Sequence, residues 1–142
     1  MRLSEKAGND MKFDHIGVFV ESLEIGLTHF KTLLPIISKS DEYHDSLLKV
    51  SVQFVYDSDN TCYELVAPLG DDNPVSAVLD SKKNILNHVA YKVEDIDANI
   101  ERYRKAGCMP LGPPRPAIAF NNARVIFFLT PVGIIIELIE MN

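Results

Sequence analysis

The feature that most limits what this chain can become is an internal repeat at an offset of 73 residues. "FDHIGVFVESLEIGLTHFKTL", from residue 13, lies on "LNHVAYKVEDIDANIERYRKA", from residue 86, and His15 falls on His88. The register runs on without a gap, with "VQFV" (52–55) on "VIFF" (125–128) and "YELVA" (63–67) on "IELIE" (136–140). Glu64 thereby falls on Glu137. A period of this length means two copies of one supersecondary unit, each burying its apolar face with the help of the other.

Each copy opens with a strand pattern. Ile16, Val18 and Val20 alternate with Phe13, His15, Gly17 and Phe19, and Val89, Tyr91 and Val93 repeat the pattern opposite His88. Ser22 and Asp95 then offer equivalent helix N-caps. Helical spacing predicts helices over 22–34 and 95–107. Their buried stripes are Leu23, Leu27, Phe30 and Leu33 in the first and Ile96, Ile100, Tyr103 and Ala106 in the second. Three strands complete each copy, the second being weak and beginning at "PIISKS" or "CMPLGPP". The Pro-rich "PLGPPRPAIAFNN" (110–122) reads as a loop that is in part an edge strand. The expected architecture is α+β: two βαβββ modules forming a cup-shaped mixed sheet with helices on the outside. Module one covers 11–70, an apolar linker around "NPVSAVLDS" covers 71–83, and module two covers 84–142. Residues 1–10 are polar and expected to be flexible.

At 142 residues the chain suits one domain with a full-sized core. A net charge of −6, with no basic run longer than Lys82–Lys83, argues against a nucleic-acid partner. "VGIIIELI" is too short and too acidic for a membrane span, and "MRLSEKAGND" has no apolar segment of a signal peptide. Two isolated cysteines, Cys62 and Cys108, fit a reducing compartment, so a cytoplasmic location is expected.

The chemistry concentrates on the repeated polar residues. Alternation places Glu64 and Glu137 on the face away from the helices, with His15 and His88, and a pseudo-two-fold axis would bring all four together. A carboxylate inside "IIIELI" is costly to bury unless it is paired or coordinated. Two imidazoles with two carboxylates suit one divalent Co, Mn, Ni, Zn or Fe ion better than Ca. The alternative is a pair of His–Glu hydrogen bonds without metal.

Paired modules carrying His and Glu at these places resemble the vicinal oxygen chelate superfamily, which includes glyoxalase I, extradiol dioxygenases, methylmalonyl-CoA epimerase and antibiotic-resistance binding proteins. The resemblance spans about residues 12–141. "FDHIGVFVESLE", "YELVAPLGDDNPVSAVLD", "LNHVAYKVEDIDANIERYRKAG" and "GIIIELIE" are most similar to the epimerase branch. The resemblance implies metal ligation by His15, Glu64, His88 and Glu137, with Glu137 and Glu64 also acting as catalytic acid and base. It implies an epimerase or isomerase working by proton transfer next to a carbonyl, on a small molecule that includes acyl-CoA among the candidates, in a homodimer. A glyoxalase I-type lyase and a non-enzymatic small-molecule binder are the alternatives. Two departures from the epimerase pattern stand out. "PRPAIAFNNARVIFFLTPVG" lacks the Gly-rich and His-Pro-Lys-like features, and "KVSVQFV" offers Gln53 where some epimerases carry a carboxylate. Arg115, Gln53 and His44, beside Tyr43, are the further candidates for touching substrate.

Overall fold

The computed structural model describes residues 10–82 and 86–141. Nearly all of the expected flexible N-terminus, and Lys83, lie outside the described residues. Module one runs β1 (Lys12–Phe19), α1 (Leu23–Leu33), β2 (Ile36–Asp45), β3 (Val50–Asp57) and β4 (Cys62–Pro68). A linker helix α2 (Pro74–Ser81) follows. Module two runs β5 (Leu86–Val93), α3 (Ile96–Lys105), β6 (Met109–Pro110), β7 (Arg115–Ala117), β8 (Ala123–Leu129) and β9 (Ile135–Glu140), with a single 3-10 turn at Ile118–Phe120.

The strands form one open, mixed sheet in the order β2-β3-β4-β1-β5-β9-β8-β6, with β7 also paired to β8. β1 runs parallel to β4, and β5 parallel to β9, as each helical crossover requires. The modules meet where β1 and β5 pair antiparallel, His15 opposite Ala90 and Gly17 opposite His88. Those pairs exchange under the 73-residue offset, so the pseudo-dyad passes between them.

The outer face carries the helices. Leu23, Val55, Leu65 and Ala67 bury one cluster with Leu27 and Phe30 against it, and Val93, Ile96, Tyr103, Ile126, Phe128 and Leu138 bury its counterpart. Ser22 Oγ accepts from the Ile25 amide and an Asp95 carboxylate oxygen accepts from the Ala98 amide, as expected of the caps. The last position of each predicted stripe is corrected. Leu33 is 75% exposed and Ala106 is exposed, because each helix stops there. Leu34 turns extended ahead of Pro35, and Gly107 takes φ +88 after Ala106.

Two other elements differ from the sequence reading. The linker forms α2, with Asn73 capping the Val75 amide and Pro74 in the first turn. It packs Val75 on Val52 and Val66 of the inner face rather than the outer one. The second strand of module two is split into β6 and β7, since Pro110, Pro113, Pro114 and Pro116 cannot donate to a ladder. Part of the Pro-rich loop is thus an edge strand, as predicted. No helix among the described residues is long and apolar enough to cross a membrane.

Asp45 ties the β2–β3 turn to module two. Its carboxylate, 4% exposed, accepts from the amides of Leu47, Leu48 and Ile118. Asp45→Ala orphans three donors, and a stability loss of about 2–3 kcal/mol is expected. Denaturant unfolding checks it. A loss below about 0.5 kcal/mol would show that the three amides are satisfied without Asp45.

Candidate metal centre

The inner face between β1 and β5 gathers the four predicted residues of a single chain. His15 is 0% exposed, Glu137 3%, His88 5% and Glu64 6%. One ligand atom from each lies within 4.8 Å of all the others. The two imidazole Nε2 atoms are 3.2 Å apart. His15 Nε2 stands 3.4 Å from Glu64 Oε1 and 3.3 Å from Glu137 Oε1, and His88 Nε2 3.5 Å and 3.2 Å from the same two atoms.

The strand register makes this convergence. Glu64 pairs with Gly17 and Glu137 with Ala90, so each carboxylate lies beside the neighbour of the other module's histidine. Gly17 is needed for the approach. A Cβ there would sit 2.0 Å from His88 Cε1 and 2.3 Å from its Nε2.

Each ring is oriented by the residue before it. His15 Nδ1 is 2.7 Å from Asp14 Oδ2, and His88 Nδ1 is 2.9 Å from Asn87 Oδ1. An oxygen acceptor at Nδ1 fixes a ring proton there, so that Nε2 is the nitrogen a neutral ring offers to the centre. Asp14 and Asn87 are themselves related by the 73-residue repeat, although neither lies among the residues that burial cost alone marks as ligands. Lys92 Nζ, 3.6 Å from Asp14, adds a cation to the first of these supports. Burial works to raise Asp14, but His15 and Lys92 outweigh it and hold its pKa below the usual value. Phe120 stacks on the His15 ring, while Phe54 meets that ring and Phe127 the His88 ring edge-on, walling the centre with aromatics.

The electrostatics ask for a cation. Burial lowers the pKa of both rings, yet the carboxylates around them dominate: Asp14, Glu137 and Glu64 raise His15 to about 12, and Glu137 and Glu64 raise His88 to about 9. Burial pushes Glu64 up, but the two histidines outweigh it and lower its pKa. Glu137 Oε1 is buried, and no hydrogen bond reaches it despite the two close nitrogens. Such an orphaned oxygen is costly.

The donor set fits a metal. Ligand atoms about 2.1 Å from one ion stand roughly 3.0–3.4 Å apart in octahedral or tetrahedral arrangements. The nitrogen–nitrogen and nitrogen–oxygen separations of 3.2–3.5 Å match that spacing. Two carboxylates would neutralise a divalent charge, and an ion would satisfy Glu137 Oε1.

A cavity of about 450 Å³ opens onto this centre. Glu64, His88 and Glu137 form its polar floor, and α2 contributes Val75 and Val78 to one wall. Phe19, Phe120 and Phe127 line other parts of it. Tyr43 also lines the cavity, but the other candidates for touching substrate are placed elsewhere. His44 alternates outward on β2, with its Nδ1 2.8 Å from Ser51 Oγ and its Nε2 3.7 Å from Glu42. Gln53 is buried on β3, where its amide donates to Ser40 O. Arg115 is exposed on β7, two residues from the cavity-lining Ala117, and is not itself part of the lining. Cys62 is buried at the start of β4, its thiol pushed up to about 11 by burial, and is also outside the lining.

Comparison with known proteins follows the same lines. The chain is 27% identical over 119 residues to an ethylmalonyl-CoA/methylmalonyl-CoA epimerase of Cereibacter sphaeroides, covering 82% of this chain and 86% of that one. The methylmalonyl-CoA epimerase of Mycobacterium tuberculosis superposes with a TM-score of 0.73 at 25% identity, over 92% of this chain and 87% of that one. A hypothetical protein of Bacillus halodurans shares the fold with a TM-score of 0.79 at 22% identity, over 93% and 95% of the two chains. The model of the Glyoxalase/Bleomycin resistance protein/Dioxygenase superfamily matches residues 14–127. With most of its length under that match, the chain belongs to the Glyoxalase/Bleomycin resistance protein/Dioxygenase superfamily.

Proposed function

We propose that this protein is a metal-dependent epimerase or isomerase that moves a proton at the carbon next to a carbonyl. The observation that carries the reading is the buried His15–Glu64–His88–Glu137 cluster, with both carboxylates on the floor of an apolar cavity and Glu137 Oε1 lacking any hydrogen bond. The same four residues would hold the ion. A divalent ion bound there would supply Lewis-acid polarisation of a substrate carbonyl oxygen.

The remaining work falls to the chain itself. Asp14 and Asn87 hold the rings in the tautomer that presents Nε2. Glu137, on β9, is the group assigned to take the proton from carbon, and Glu64, on β4, the group assigned to return one from the other module. The proton that Glu137 takes is passed to Glu64, exchanging with solvent on the way, before its return to carbon, and the two exchange roles in the reverse direction. The aromatic and aliphatic walls exclude water, so the carbanionic carbon is protonated by the chain and not by solvent. The similarity to epimerases supports this class of reaction.

The test is hydrogen exchange at carbon. Acyl thioesters with a branched 2-carbon, methylmalonyl-CoA among them, and 2-oxo compounds are incubated in deuterated water with protein loaded with Co²⁺, Mn²⁺, Ni²⁺ or Zn²⁺. Incorporation of deuterium at the 2-carbon, abolished by chelation and lowered at least ~100-fold in Glu137→Gln, is expected. No metal-dependent exchange or turnover with any of these substrates would leave a small-molecule binder as the better description.

A further inference from the structure

The walls of the cavity carry information about the ligand beyond the reaction class. Among the described lining residues there is no lysine or arginine. The titratable side chains that line it are Tyr43, Asp45, Glu64, His88 and Glu137, three of them carboxylic acids. Several polar groups of the lining are already committed to the protein. Asp45 holds three backbone amides. Asn73 donates to Lys49 O and accepts from the Val75 amide. Asn87 accepts from the His88 ring.

Charge bookkeeping at the centre points the same way. Two carboxylates cancel a divalent ion, so the occupied centre has no surplus positive charge to draw in an anion. Away from it the surface is aliphatic and aromatic, contributed by Val52, Val66, Val75, Val78, Leu111 and Phe127. An anionic group on the body of a ligand would be stripped of water against these side chains with no cation to meet it.

Resting on the metal-dependent reading above, we infer that the cavity selects ligands whose vicinal oxygens sit on an uncharged, apolar body, and discriminates against a carboxylate carried on that body. The class is that of apolar α-dicarbonyl, α-hydroxycarbonyl or 2-branched acyl compounds. The volume of about 450 Å³ is ample for a ring-sized apolar body.

The experiment compares 1-phenylpropane-1,2-dione with its para-carboxylate, two molecules alike except for one charge remote from the oxygens. Dissociation constants are measured calorimetrically on Zn²⁺-loaded and on metal-free protein. The neutral diketone is expected to bind loaded protein at least tenfold more tightly than the carboxylate. Val78→Arg, on the partly exposed α2 wall and remote from the ligand set, should shrink that ratio at least tenfold. Leu48→Lys is a second variant that places a cation on another wall, with circular dichroism confirming that each is folded. Equal or tighter binding of the carboxylate by the parent protein would overturn the inference, as would binding of neither compound, or an unchanged ratio in folded forms of both variants. Tenfold selectivity that persists without metal would uphold the cavity's preference while counting against the role given to the metal, so the two readings fail separately.

Discussion

His15→Ala and Glu137→Gln are each expected to lower divalent-metal content from about one ion per chain to a small fraction of that. The loss should exceed the ~10–100-fold drop in affinity that follows removal of a group merely hydrogen-bonded to a ligand. The two changes act differently. His15→Ala removes a nitrogen donor and leaves space against Phe54 and Phe120, so it also costs packing. Glu137→Gln keeps the shape and one oxygen but takes away a charge, leaving a buried divalent ion with a single carboxylate to balance it. Elemental analysis after dialysis against a weak chelator reads the occupancy, and circular dichroism checks that each variant is folded. Chelating the parent protein should reproduce part of the effect. An ion held at 100 times its dissociation constant contributes about 2.7 kcal/mol, so its removal should lower the melting temperature by several degrees. Full occupancy in both variants would remove the four residues from consideration as a metal centre.

The fold is legible to an unusual degree because one offset places most elements twice. Once His15 lay on His88 and Glu64 on Glu137, strand alternation put all four on one face, and the pairing of β1 with β5 did the rest. What escaped had local causes. The linker reads as an apolar segment because α2 has no copy in the other module, although Asn73 followed by Pro74 is itself a helix-start signal. Leu33 and Ala106 fitted the helical period but fell where Pro35 and Gly107 end the helices.

The periphery of the site was harder to read than its centre, for a physical reason. Metal ligands must be buried and mutually close, so a polar residue inside an apolar strand already marks itself. Residues that touch a ligand need only face a cavity, and that depends on one-residue alternation and on crossings distant in sequence. Tyr43 and His44 illustrate this. They are adjacent on β2, yet Tyr43 lines the cavity and His44 turns toward solvent. Gln53 has the polar side chain sought on β3, but its amide is spent on the Ser40 carbonyl.

Gly17→Ala should cause a large loss from the smallest possible change. Gly17 faces His88 across the β1–β5 pair, and an added Cβ would lie 2.0–2.4 Å from three atoms of that ring. The side chain is 2% exposed, tethered to Asn87 through Nδ1 and edged by Phe127, so it has no free direction of retreat. Either β1 shifts away from β5 or His88 swings off the centre. Both remove a nitrogen donor from the ligand set, and overpacking of this kind costs about 1–3 kcal/mol. The position related by the repeat is Ala90, opposite His15, which tolerates a methyl group; the dyad is therefore broken at this pair. Gly17→Ala is expected to lose most of its bound metal and several degrees of melting temperature. The double variant Gly17→Ala/His88→Ala identifies the cause. With the ring gone, the alanine at 17 should cost little beyond His88→Ala alone, a coupling of at least ~1 kcal/mol between the two positions. If Gly17→Ala kept full metal content and melted within about 1 °C of the parent, the close approach of the ring to β1 would not be what sets the geometry of the centre.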